Sequence, residues 1–508
     1  MESERLRRAD ARIAGLAATA LALAALWVAA TIVAGAVFVP ASITDVIVRA
    51  TPGAIATFFI EWLGHLALPL LTTGVLAGCL VVGGEALVAT ARPSGPRPYL
   101  AGAMVGAAAA LLLVVSAPAI DSLAPTAAAL ALCVLIYGAA AGRLYGLIAA
   151  EADADAGRRR ALRSGLGWTA AVALGGGVLG WVSRRSAGPD TNVSLRAAEI
   201  PARIPGRSRW PEVEGLTGEV TSAADHYVVD INLFTPSVEA DGWRLEVKGE
   251  VEEPLRLSFR ALQSRFEVVE EYAVLTCVSN EVGGGLVGHS LWGGVRLGDV
   301  LKAAGMRPAG VDIVFRAADG YSDSIPAELA RDPAVLLAVS QNRRPLTREH
   351  GFPCRLRVPP IYGMKNVKWI ESIEVVSSDY EGYWQQRGWS DRATVRTQSR
   401  IDVAGDDFRA TAGTPTWVAG VAWAGDRGVD RVEVSPDGGQ TWSEAELRQP
   451  IGPLSWRQWI YRWTPERSGE AVVMCRATDG DGATQTENRV PPHPAGATGY
   501  HRVTVEVA

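Results

Sequence analysis

EYAVLTCVSNEVGGGLVGHSLWGGV, residues 271–295, decides how the larger part of this chain is read. Tyr272, Val274 and Leu275 favour extended backbone, so the run predicts a strand ending at Cys277. Ser279, Asn280, Gly283, Gly284, Gly285 and Gly288 follow at once and predict a loop. A cysteine at a strand end, entering a glycine-rich loop, stands where backbone can approach a bound group closely. Free cysteine is also among the most buried residue types. Position alone therefore leaves a packing thiol and a site thiol equally open for Cys277.

Downstream, two further stretches carry polar groups at turns. DGYSDSIP occupies 319–326, and LLAVSQNRRPLTREHGFPCRLRVPPIYGMKNVKWIESIEV occupies 336–375. The second gathers His350, Arg355, Lys365 and Lys368 around Gly and Pro turns. Such donors, with loop amides, suit an anionic, phosphate-bearing ligand. A solvated basic surface is the ordinary fate of a charge run, but the Gly-Phe-Pro turn at 351–353 and the apolar strand around Arg355 weigh against it here. Strands are predicted at 243–249, 266–275, 311–316, 354–358 and 370–376. Helical pieces are predicted at 256–263, 296–305, 327–331 and 334–339. That mixture is an α+β domain.

Outside this region the texture changes twice. From about 404 short alternating runs recur at 416–424, 429–435, 456–463, 471–478 and 501–507, with SPDGGQ at 435–440 and DGDGA at 479–483 as turns. This pattern predicts an immunoglobulin-like β-sandwich, with Trp417, Trp423, Trp442, Trp456, Trp459 and Trp463 filling or bordering its core. Residues 1–185 are instead rich in Ala, Leu, Val and Gly. Apolar runs at 13–39, 63–90, 99–120, 123–147 and 165–182 predict about five membrane spans, and 43–60 an interfacial or re-entrant piece. Arg5, Arg7, Arg8 and Arg12 precede the first run, Arg92 and Arg97 follow the second, and Arg143 and Arg158–Arg160 precede the fifth. This distribution places the N-terminus in the cytoplasm and everything after about 183 outside it. Pro189, Pro201, Pro205 and Pro211 mark 186–217 as a linker.

The 508 residues thus divide into an all-α membrane bundle (1–185), a linker (186–217), an α+β catalytic domain (218–403) and a β-sandwich (404–508). A net charge of -5 excludes a general nucleic-acid binder. The 5 cysteines form no CxxC pair, so neither a zinc ribbon nor a disulfide framework is expected. Only His65 lies in or near a span, so no haem held by two histidines is expected in this chain. The spans lack paired charges, which argues against a transporter.

LTCVSN, DGYSDSIP, EHGFPCRLRVP, NVKWIESIEV, SPDGGQTW, WRQW and GYHRVTVEV, in that order, resemble the sulfite oxidase family of molybdopterin enzymes from about Val228 to the C-terminus. The resemblance implies a molybdenum-molybdopterin cofactor, with Cys277 as the thiolate on molybdenum. It implies cofactor contacts at Tyr227, Asp230, Asp319, His350, Arg355, Asn366, Val367 and Lys368. It also implies dimerisation through the sandwich. Two departures concern the substrate. Where sulfite-oxidising members carry Arg-Asn-His, this chain reads Val229, Asp230, Ile231; where they carry an active-site tyrosine, it has Trp389. Arg387 remains as an anion contact. The expected reaction is two-electron oxygen-atom transfer on a small molecule, outside the cytoplasm, with a separate electron-transfer protein. A reductase of S-oxides or N-oxides and a cofactor-free binding module are the alternatives. Arg159–Arg163, RRALR, reads equally as an internal twin-arginine export signal or as positive-inside charge.

Overall fold

The computed structural model describes residues 2–32, 38–51, 55, 59, 67–90, 97–116, 123–150, 154–186, 210–231, 235–404 and 409–508. His65, Arg92 and residues 187–209 of the expected linker lie outside them. The chain forms two compact units, one helical and N-terminal, the other β-rich.

The helical unit contains α1 (Glu2–Ile32), α2 (Val39–Ala50), α3 (Ala67–Ala89), α4 (Pro98–Ser116), α5 (Leu123–Ala149) and α6 (Ala154–Ser186). Small residues let the backbones close up: a Cβ on Gly15 of α1 would lie 2.9 Å from Gly83 O and Gly84 Cα of α3. Among the described residues, three helical stretches are long and apolar enough to cross a membrane: Arg7–Ala30, Pro69–Ala89 and Thr126–Ala149. The described parts of the other two expected spans, 99–116 and 165–182, also lie on helices. That on α4 has a shorter apolar stretch, Pro98–Ala110, and that on α6 shares its helix with the basic run at Arg158–Arg160.

Two sheets build the first part of the β-rich unit. One has the order β2-β1-β10-β5-β6, from β1 (Arg244–Gly249), β2 (Leu255–Ser258), β5 (Asp312–Ala317), β6 (Ser322–Pro326) and β10 (Ile370–Val376). Its β1–β10 pair is parallel and the rest antiparallel. The other runs β3-β4-β7-β8, with β9 on β7, from β3 (Val268–Thr276), β4 (Val287–Arg296), β7 (Leu336–Gln341), β8 (Arg344–Pro345) and β9 (Arg355–Arg357). A single apolar core containing Leu245, Phe315 and Ile373 of the first sheet and Val274, Leu337 and Leu356 of the second joins them.

Sequence and structure part company at three places. Residues 255–258 are strand rather than helix, because Leu255 and Leu257 alternate inward and Ser258 caps the next helix, α7 (Phe259–Arg265), by accepting from Ala261 N–H at 3.1 Å. Residues 336–341 are β7, buried throughout and paired with β4, so their apolar run reflects burial on both faces. Gly288 belongs to β4 and not to the loop.

The last part has two further sheets, β11-β13-β17-β16 and β12-β19-β18-β14-β15. The first comprises Gln398–Val403, Thr416–Trp423, Arg457–Trp463 and Glu446–Leu447; the second comprises Arg409–Ala410, His501–Val507, Gly469–Asp479, Val429–Ser435 and Ser443–Glu444. They share one core, with Val418 and Trp459 from the first and Val432, Val473 and Val505 from the second. Trp459 and Trp463 fill that core, whereas Trp423 and Trp456 are buried in the neighbouring core beside Val421 and Tyr362. Trp417 and Trp442 are half-buried under Arg462 and Arg476. The turn at SPDGGQ is closed by Asp437, which accepts from Ser435 Oγ at 2.7 Å and Thr441 N at 2.9 Å.

Candidate cofactor site

Cys277 follows the last ladder pair of β3 and β4, Thr276↔Val287. Its N–H donates to Leu286 O at 2.9 Å, and Asn280 Oδ1 accepts from Leu286 N at 2.8 Å, which closes the loop. The thiol is 6% exposed. Burial raises its pKa, while the N–H groups of Val278 and Ser279 and the Ser279 hydroxyl favour the thiolate. A metal cation at the sulfur would complete what these donors begin.

The turn that follows β8 delivers the cations. Gly351 has φ +101°, and a Cβ there would sit 3.0 Å from Lys368 Cβ and 3.1 Å from Arg355 Cβ, so glycine is needed for both conformation and space. His350 Nε2 donates to Ala223 O at 2.7 Å, and burial lowers its pKa. Arg355 Nη1 and Nη2 donate to His350 O and Asn366 O, both at 3.2 Å, and its guanidinium lies 5.2 Å from the Trp292 ring centroid. Burial pulls its pKa down to about 10. Lys368 Nζ is paired with Asp230 and also donates to Glu349 O at 3.0 Å. Asp319 acts on Lys368 electrostatically, its turn being tied in by Ala318 N donating to Trp369 O at 2.9 Å.

Tyr227 completes this wall. Its ring stacks on His226 at 5.2 Å; burial raises the pKa of its hydroxyl, and Cys277, Arg355 and Arg357 act on it electrostatically. A Cβ on Gly363 would lie 2.5 Å from Tyr227 Oη and 3.3 Å from Thr276 O, so only glycine lets the Tyr227 hydroxyl close on this turn beside β3. Asn366 is committed internally: its Oδ1 accepts from Val358 N at 2.7 Å and from Arg357 Nη1 at 3.1 Å. Val367 is buried and its carbonyl accepts from Leu356 N at 2.8 Å.

Cys277, Tyr227, Asp230, His350, Arg355, Asn366 and Lys368 are therefore gathered in one region, with Asp319 at its edge. Arg387 and Trp389 lie on an adjoining wall. Arg387 stacks 3.7 Å from the Tyr383 centroid, and the Trp389 ring stands 6.1 Å from Trp384 and 5.0 Å from His493. Tyr321 links this wall to the first, 5.7 Å from Tyr383 and donating to Met364 O at 2.8 Å. Lys365 departs from expectation. It is 2% exposed and bonded to Asp323 at 2.9 Å and Asp391 at 2.8 Å, so its charge is already met. Arg357, His226 and Tyr362 went unread in the sequence. Arg357 had a signal, two residues beyond Arg355 on one strand face.

The donor set fits an anionic, thiolate-ligated cofactor: two buried guanidiniums retain Nε atoms with no hydrogen-bond partner, and both act on Tyr227, as does a buried thiol met by Val278 and Ser279. Residues 232–384 match the family described as the oxidoreductase molybdopterin binding domain, and 393–508 the Mo-co oxidoreductase dimerisation domain. Fold and site thus define a molybdopterin-binding oxidoreductase. The chain is 32% identical to mitochondrial sulfite oxidase of Mus musculus over 381 residues, 63% of this chain and 69% of that protein. Against the Rattus norvegicus enzyme it is 32% identical over 348 residues, 58% of this chain and 63% of that protein, just under two thirds of the relative's length. The sulfane dehydrogenase SoxCD from Paracoccus pantotrophus shares the fold with a TM-score of 0.51 at 21% identity, over 61% of this chain and 94% of that one. The chain belongs to the sulfite oxidase family of molybdopterin-dependent oxidoreductases.

Proposed function

We propose that this chain is a membrane-anchored enzyme that transfers an oxygen atom to or from a small molecule on the extracytoplasmic side. Cys277 would bind molybdenum, and Tyr227, Asp230, Asp319, His350, Arg355, Asn366, Val367 and Lys368 would hold the molybdopterin. When bound, the cofactor supplies two-electron oxygen-atom transfer, with water as oxygen source or product. The observation that carries the reading is the pair of buried guanidiniums, Arg355 and Arg357, whose Nε atoms have no partner, the second bonded to Val274 O three residues before Cys277. The residues' own part is electrostatic and positional: Val278 and Ser279 donate to the sulfur, and Gly351 and Gly363 let Arg355, Lys368 and Tyr227 pack closely on their turns. Five spans, three of them the apolar stretches above, would anchor the chain with its N-terminus inside. The immunoglobulin-like β domain would pair two copies, and a separate protein would exchange electrons.

A second reading, reduction of S-oxides such as oxidised methionine, is favoured by the wall at Trp389. Trp384, Trp389 and His493 pack ring to ring there, where the family's phenol hydroxyl is absent. Steady-state assays on the purified chain separate the two, with sulfite plus an electron acceptor in one arm and methionine sulfoxide plus a reduced donor in the other. Cys277→Ser is expected to abolish whichever activity is found and to leave the fold in place. Undiminished turnover by that variant refutes the assignment.

A further inference from the structure

Arg355 and Arg357 leave the same face of β9. They are 4% and 1% exposed, and their guanidinium carbons lie 5.2 and 6.0 Å from the centroid of one indole, Trp292. Arg357 Nη1 donates to Asn366 Oδ1, and Nη2 to Val274 O on β3. The charged groups that act on Arg357 are Arg355, which repels it, and Tyr227. Among the described residues neither arginine forms an ion pair; Asp230, which is paired with Lys368, acts on Arg355 electrostatically but not on Arg357. Both Nε atoms are buried without a partner, as is Nε2 of His226, whose ring meets Trp292 edge-on at 5.8 Å. His226 Nδ1 faces Tyr227 O at 3.3 Å, which puts the ring proton there and leaves Nε2 as an acceptor.

A tie between Val274 O and Asn366 Oδ1 needs two N–H groups and no net charge. A second buried guanidinium adds repulsion and a desolvation cost that only an anion offsets. We propose that Arg357 and His226 belong to the cofactor-holding set. Arg357, with Arg355, would seat an anionic group of the phosphate-bearing cofactor, and His226, its ring against Gly288, would offer Nε2 to the cofactor as an acceptor. This rests on the function proposed above, and neither residue is among the contacts implied by family resemblance.

The test compares the full-length chain with Arg357→Met, Arg357→Lys and His226→Phe, each made in a host that synthesises molybdopterin and in one that cannot. From the first host, Arg357→Met is expected to lose molybdenum and pterin on gel filtration at least tenfold faster than wild type, with His226→Phe less affected and Arg357→Lys nearest to wild type. From the second host, Arg357→Met is expected to melt no lower than wild type, because an uncompensated charge has gone, whereas its loaded form melts lower. Equal losses of melting temperature in loaded and unloaded forms, or an Arg357→Met chain that does not fold even unloaded, identify a structural strap and overturn the proposal. So does an Arg357→Lys variant that sheds cofactor as fast as Arg357→Met. A wild-type chain holding neither molybdenum nor pterin fails at the earlier step, the function itself.

Discussion

His501 accepts a hydrogen bond from Ile401 N–H on Nδ1 at 2.9 Å, so that nitrogen must be unprotonated in the folded chain. Burial, and then the charge of Arg400, hold its pKa down to about 4; burial does the same for His289. Above pH 6.5 both folded and unfolded histidines are neutral and contribute no difference. Between about 6.5 and 4 the unfolded chain takes up protons that the folded one refuses, so stability falls with pH through that window by about 1.4 kcal/mol per pH unit per histidine. The thermal midpoint should be flat from pH 8 to 7 and drop below 6.5, with a shallower slope in His501→Gln. A midpoint independent of pH down to 4.5 contradicts this. The same ring lies against Gly283, where a Cβ would fall 3.0 Å from His501 Cε1, so acid loss would loosen the Cys277 loop as well. Single residues were legible in the sequence where chemistry narrowed their use, as at His350 and Arg355. Lys365 was misread because its partners, Asp323 and Asp391, lie 42 and 26 positions away. No local pattern reports pairing at that separation.

At the scale of elements, β4 is the strand on which the site depends, since it pairs with β3 on one side and β7 on the other. Gly293 and Gly294 mark the irregularity where its register with β7 shifts. A Cβ on Gly294 would collide with Leu337 O and lie 2.6 Å from Ala338 Cα, all of it backbone that cannot swing aside. Gly294→Ala should therefore cost about 1–3 kcal/mol in denaturant unfolding, with the β3–β4 hairpin disturbed as far as Cys277. Stability equal to wild type would show that the close approach is not required. The sequence marked β3 through its β-formers, but glycines hid the start of β4. Burial on both faces disguised β7, because a short apolar run lacks the alternation that distinguishes strand from helix.

For the whole molecule, the division into an apolar helical unit and a β-rich unit followed from composition, and the last sheets followed from turns such as that closed by Asp437. The site is assembled from segments near 227, 277, 319, 350–357 and 363–369, and what revealed it was their order along the chain rather than any one of them. Electrostatic completeness was not legible: Asp230 pairs with Lys368 and acts on Arg355 without an ion pair, while no carboxylate acts on Arg357, and only the folded chain shows which charge meets which. The role we propose for this buried positive region is to hold a molybdenum–pterin cofactor with Cys277. Its most direct test is metal and pterin analysis of the purified full-length chain. Molybdenum and pterin in equal amounts, with the metal lost or its thiolate signature changed in Cys277→Ser, is the predicted result; a folded wild-type chain containing neither would contradict the claim.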